Sequence, residues 1–218
     1  AFTSIYTRPV SRVAASRWIF QNVPRGSVLA NEHWDDPLPL RVDGLDPYGG
    51  MYRGLTPQYA GGDTLMDWYN EDTPEKRVLA INWVDQADYI ILSSNRLYGS
   101  IPRLPMRYPL TTQYYQWLFD GTLGFDNVAT ITSRPQLFGI EFNDDNAEEA
   151  FTVYDHPKVL IFGKSARYSR ENTLKLFNSV NLEEVYRFWP RQATQAKTAL
   201  LLSPSDAQAQ QQGGTWSD

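Results

Sequence analysis

An α/β fold is what this sequence predicts: a three-layer sandwich on a mostly parallel sheet with an antiparallel edge hairpin. Three observations point to it. Val28-Leu29-Ala30 and Tyr89-Ile90-Ile91-Leu92 are unbroken apolar runs without alternation, as expected of strands covered on both faces. Helix-like segments alternate with them through the first half of the chain. Later, the runs 151–154 and 159–162 are separated only by Asp155-His156-Pro157-Lys158, a hairpin-length connection.

In chain order, residues 8–23 predict the first helix, with Thr7 as N-cap, Pro9 in the first turn, and Pro24-Arg25-Gly26 as the stop. A strand over 27–31 follows. Thr73-Pro74-Glu75 opens a second helix that ends near Gln86, and 87–94 is the clearest strand. A proline-rich link leads to a third helix over 111–119, closed by Gly121. Residues 125–132 and 136–142 predict shorter strands, and 169–180 and 182–188 predict helices. The division is one α/β domain over 1–203, with 35–72 a long Gly- and Pro-rich loop or lid and 204–218 a low-complexity linker.

The chain is organised around 27–40, where an apolar strand runs into Asn31-Glu32-His33-Trp34-Asp35-Asp36 and meets two prolines. Polar groups just past a buried strand mark the ligand-facing rim of open α/β sheets. Ser94-Asn95-Arg96 occupies the same position after the second strand. If the two strands run parallel, both groups share one edge and Arg96 comes within ion-pair reach of Glu32, Asp35 or Asp36. The ligand-binding candidates are therefore Glu32, His33, Trp34, Asp35, Asp36, Ser94, Asn95 and Arg96. Arg96 can clamp a phosphate or carboxylate, or simply pair with a rim acid. Asp88 reads as a turn cap.

Composition narrows the classes of function. The 20 basic and 25 acidic residues give a net charge of −5 with no basic aromatic-rich stretch, which argues against nucleic acid as a partner. Zero cysteines exclude disulfides and thiolate metal sites. With 7 Trp, 13 Tyr and 10 Phe, the aromatics serve a core first and a sugar- or headgroup-facing surface second. Phe162-Gly163-Lys164-Ser165 is not a phosphate loop, because Lys158 stands where that motif needs its first glycine. The only histidines, His33 and His156, each neighbour carboxylates; with Asp35 and Asp155 they are the metal candidates, set against the simpler reading of strand-end caps. The expectation is no cofactor in this domain, with a divalent metal reserved for a parent protein.

Residues 7–19 (TRPVSRVAASRWI), 31–36 (NEHWDD), 93–98 (SSNRLY), 114–119 (YYQWLF) and 152–159 (TVYDHPKV) resemble the soluble domain of the YYY membrane protein family. These are large polytopic membrane proteins of bacteria and archaea, similar to the C-superfamily glycosyltransferases that use polyprenyl-phosphate sugars outside the cytoplasm. The ending GGTWSD (213–218) resembles a lead-in to a membrane segment. The resemblance implies a membrane-associated, extracytoplasmic domain whose partners are the transmembrane part of its own parent chain and a lipid-linked sugar. In the related transferases the catalytic acid lies in the transmembrane part, so no catalytic residue is assigned here. The alternatives are a protein-interaction domain of a membrane complex and a metal-assisted hydrolase using the Glu32 to Asp36 rim.

Overall fold

A computed structural model describes residues 1–47, 49–56 and 65–187. Its centre is a four-stranded sheet in the order β1-β2-β6-β3, formed by β1 (Leu29–Asn31), β2 (Tyr89–Leu92), β3 (Phe125–Ile131) and β6 (Val159–Lys164). Both long apolar runs are strands of this sheet, but only β2 lies in its interior; β1 is an edge strand. Only β1 and β2 are parallel, with Ala30 opposite Ile90; β6 runs antiparallel to β2 and to β3. The sheet is thus mixed, which corrects the mostly parallel expectation.

Burial explains the absence of alternation. Leu29, Ile91, Val159 and Ile161 pack on one face against Ala15, Ile19 and Val23 of α1 (Ser11–Asn22) and its C-cap. Ala30, Ile90, Leu92, Leu160 and Phe162 pack on the other. There they meet α2 (Pro74–Gln86), α4 (Pro109–Phe119) and α5 (Arg170–Ser179), through Ala80, Val84, Tyr114, Leu118 and Phe177. Successive residues of one strand therefore enter two apolar clusters, and neither parity can be polar.

Several boundaries differ from expectation for local reasons. Residues 2–7 form a 3₁₀ turn, and α1 starts at Ser11 without a side-chain cap. Pro9 forces Arg8 into extended backbone (φ −123°, ψ 159°), so the helix cannot begin there. Thr73 does cap α2, its hydroxyl accepting from Lys76 N at 3.1 Å. α4 begins at Pro109, two residues before the expected start. A short helix α3 (Arg96–Ser100) follows β2 directly. No helix forms over 182–187, where the Asn181 side chain accepts from Glu183 N and competes with helical bonding; residue 188 lies outside the described residues.

The predicted 151–154 hairpin strand is instead part of a π-helical turn, Ala150–Asp155. Thr152 and Val153 are buried together while Phe151 and Tyr154 are exposed, a helical pattern rather than a strand's alternation. β6 finds its antiparallel partners far away in sequence. The run 136–142, expected as one strand, folds on itself as β4 (Gln136–Leu137) and β5 (Ile140–Glu141) around Phe138-Gly139.

The described parts of 35–72 run along the free edge of β1. Leu29 N donates to Arg53 O and Met66 N donates to Asn31 O, both at 2.8 Å. The segment therefore covers an otherwise open strand edge and sends Leu38, Leu55, Met66 and Trp68 into the cores. Residues 57–64 and the 204–218 linker lie outside the described residues. Beneath this segment Lys76 is buried with Asp72 at 2.7 Å, and its ammonium also donates to Trp68 O, Asn70 O and Thr111 Oγ1. Asp72 in turn accepts from Leu110 N and Thr111 N, so both charges are paired and satisfied.

Candidate functional site

Strand direction decides what meets what. β1 and β2 end at the same edge because they are parallel, and β3 ends there too; β6, antiparallel to both neighbours, begins there. One edge therefore collects residues 32–36, 93–96, 132–134 and 156–158.

The first centre is Asp35. Arg12 reaches it at 3.3 Å from α1 and Arg96 at 3.4 Å from the start of α3, while the Ser94 hydroxyl donates to its second oxygen. Arg12 also donates to the backbone oxygens of Ser93 and Val153, and the Arg96 guanidinium sits 5.0 Å from the centre of the Tyr154 ring. Two guanidiniums thus share one largely buried carboxylate. Asp36 approaches Arg12 only at 4.0 Å, with its side chain 72% exposed, and an exposed pair at that range neutralises little.

The second centre is a cleft about 90 Å³ in volume between β3, β6 and the β2 end, lined by Asn95, Tyr98, Arg134, Asp145, His156 and Lys158 among others. Arg134 and Lys158 both bind Asp145. Their hydrogen bonds and charges outweigh the upward push of its burial, so its pKa lies below the ordinary carboxylate value. His156, only 4% exposed, has its Nε2 2.6 Å from Asp144 Oδ2. Among the described residues His156 Nδ1 has no partner, nor does Asn95 Oδ1, whose amide nitrogen donates to Thr152. The cleft therefore offers unpaired polar atoms that a hydroxyl-bearing or hydrated group can use.

Behind these, Glu32 is buried and accepts from the Tyr115 hydroxyl at 2.6 Å. Burial pushes its pKa up to about 8, with the Tyr115 bond opposing and Asp35 adding to the rise. Trp34 lies at the rim, 60% exposed as a residue and with its backbone at φ 91°, a conformation costly for a bulky side chain.

Of the sequence candidates, Asp35, Ser94 and Arg96 are joined directly. Asp36 is peripheral, and Glu32 is turned inward to Tyr115. His33 donates its backbone N–H to Met66 O, and its ring lies tilted against Trp34 at 5.2 Å between ring centres. His156 pairs with Asp144, and Asp155 lies by the Tyr6 hydroxyl. Among the described residues, no group of three or more histidines, cysteines and carboxylates is placed to hold a metal ion. Asp88 accepts from Val28 N at 2.8 Å, tying β1 to β2 at the opposite end of the sheet.

Sequence reasoning passed over Arg12, Arg134, Asp144, Asp145 and Lys158. Arg12 stands in the predicted first helix with nothing local to single it out. The run 143–149 is rich in acids, but no local feature says which bases Asp144 and Asp145 meet.

No family model, curated protein or solved structure matches this chain.

Proposed function

We propose that this chain is the extracytoplasmic soluble domain of a membrane-bound, glycosyltransferase-like protein, and that its polar sheet edge shapes an acceptor or polyprenyl-phosphate-sugar site. The edge faces the transmembrane part of the parent chain, which carries the catalytic acid and any divalent metal. The reading draws on the likeness to the YYY membrane protein family. It also takes the fold as a three-layer sandwich, supported by apolar clusters on both faces of the sheet.

The observation that carries it is the pair Arg12 and Arg96 converging on the single carboxylate of Asp35. Guanidiniums suit phosphate oxygens bidentately, and here two are held in place by one largely buried carboxylate. The exposed ring of Trp34 adds an apolar, amphipathic surface of the kind a sugar face stacks on. The neighbouring cleft supplies unpaired polar atoms for hydroxyls.

Titration of the isotope-labelled chain with a short-chain polyprenyl phosphate tests this. Arginine side-chain resonances of Arg12 and Arg96 are expected to shift. Arg96→Ala is expected to weaken binding about tenfold, the value of one charged hydrogen-bonding partner, while the melting temperature moves by less than about 3 °C. A variant that melts early yet binds normally makes the cluster an internal lock and sinks the reading.

A further inference from the structure

The β4–β5 hairpin carries an apolar tip that joins neither core cluster of the described residues. Phe138 is 96% exposed, Ile140 65%, and Leu137 and Phe142 44% each. Phe138 and Gly139 both adopt positive φ, 51° and 82°, as a two-residue turn of the primed type requires. Asn or Asp is the usual first residue of such a turn; phenylalanine there is strained and gains no burial in return.

The base, by contrast, is firmly built. Gln136 N donates to Ser4 Oγ at 2.7 Å, Phe142 N to Pro135 O at 2.9 Å, Arg8 donates to Arg134 O, and Arg134 pairs with Glu141 and Asp145. Behind the tip, Phe2 meets Tyr6 and Phe151 edge-on at 5.8 and 5.1 Å, and all three rings are exposed. Phe2 and Tyr6 belong to the 3₁₀ turn whose Ser4 holds Gln136, so these exposed rings adjoin the hairpin base, and the apolar tip projects from it. The hairpin lies at the sheet edge where β3 ends, beside the cleft of Arg134 and His156.

We propose that this hairpin inserts its Leu137, Phe138 and Ile140 side chains into the interfacial layer of a lipid bilayer. The inference rests on the reading above that this edge faces a membrane. A convex turn with a few large side chains supplies only a fraction of the roughly 800 Å² per partner that a stable protein interface needs. A bilayer demands no such complementarity, and it accepts amphipathic rings at the headgroup level with apolar side chains below. Charge selects the kind of lipid surface. Glu141, Asp144, Asp145, Glu148 and Glu149 outnumber Arg8, Arg134 and Lys158 around the hairpin, so attraction to anionic headgroups is not the driving force.

The test is co-flotation of the 218-residue chain with pure phosphatidylcholine vesicles and with vesicles enriched in phosphatidylserine. Binding is expected to be as good to the first as to the second and insensitive to salt. Phe138→Asn should preserve or improve folding, because Asn-Gly suits the turn, yet lower vesicle binding about tenfold, the value of burying one such ring. Val78→Thr, an exposed position on α2, should leave binding unchanged. The inference is overturned if wild-type protein ignores vesicles, if Phe138→Asn binds as wild type does, or if the hairpin mediates a concentration-dependent dimer that Phe138→Asn abolishes. Phosphate recognition at Arg96 is measured without vesicles, so loss of one result leaves the other standing.

Discussion

Glu32 is the residue at which chemistry and stability are most tightly linked. Burial raises its pKa from an ordinary 4.5 to about 8, so the folded protein holds a proton that the unfolded chain has already released in that window. Stability is therefore greatest below pH 4.5 as far as this group is concerned. It falls by about 1.4 kcal/mol per pH unit until the folded carboxyl itself ionises near pH 8. Glu32→Gln keeps an acceptor for the Tyr115 hydroxyl and removes the titration. Urea denaturation of both proteins at pH 5 and pH 8 is expected to show the variant gaining on wild type as pH rises. A constant difference would rule out the proton as the cause. The same residue had looked like a rim ligand; its inward turn to Tyr115 came from a partner 83 positions away on α4.

At the scale of elements, β2 is the strand on which the others depend. It alone pairs with both β1 and β6, and Ile91 sits between Asn31 and Ile161 while its side chain enters the cluster with Ile19. Ile91→Asp puts an unpaired carboxylate into that cluster, at a cost of several kcal/mol and comparable to the stability of a whole domain. Loss of the cooperative thermal transition is the expected result; a normally folded variant would contradict the two-sided burial of β2. β1 and β2 were legible because their apolar runs do not alternate, and α2 because Thr73-Pro74-Glu75 marks its start. The run 151–154 was not. Four consecutive apolar or β-branched residues fit a strand and a single helical turn equally, and only the absence of a partner strand decides between them.

Across the molecule, acids at the polar edge are mostly committed: Asp35 to two arginines and Ser94, Asp145 to Arg134 and Lys158, Glu32 to Tyr115. Asp36, its side chain 72% exposed, stays apart from these pairs, and in the proposed reading the catalytic acid lies in the transmembrane part of the parent chain. The chain by itself is expected to turn over neither an activated glycoside nor a phosphoester. Measurable turnover that disappears with Asp35→Asn would overturn that expectation.

Sequence alone determined the strands β1 and β2, their two-sided burial and the polar rim after each, because apolar runs and chain breakers are local properties; that β1 lies at the sheet edge was not legible. It also placed Asp35 and Arg96 on one edge, given parallel strands. Strand order and direction beyond that first pair were decided only in three dimensions. β6 slots between β2 and β3 because its two-sided apolar surface finds cover there, and that choice brings Arg134, His156 and Lys158 to the edge of Asp35. Arg12 joins them from α1 for the same reason: long-range packing, which has no signature at any single position, chooses the partners of buried charges.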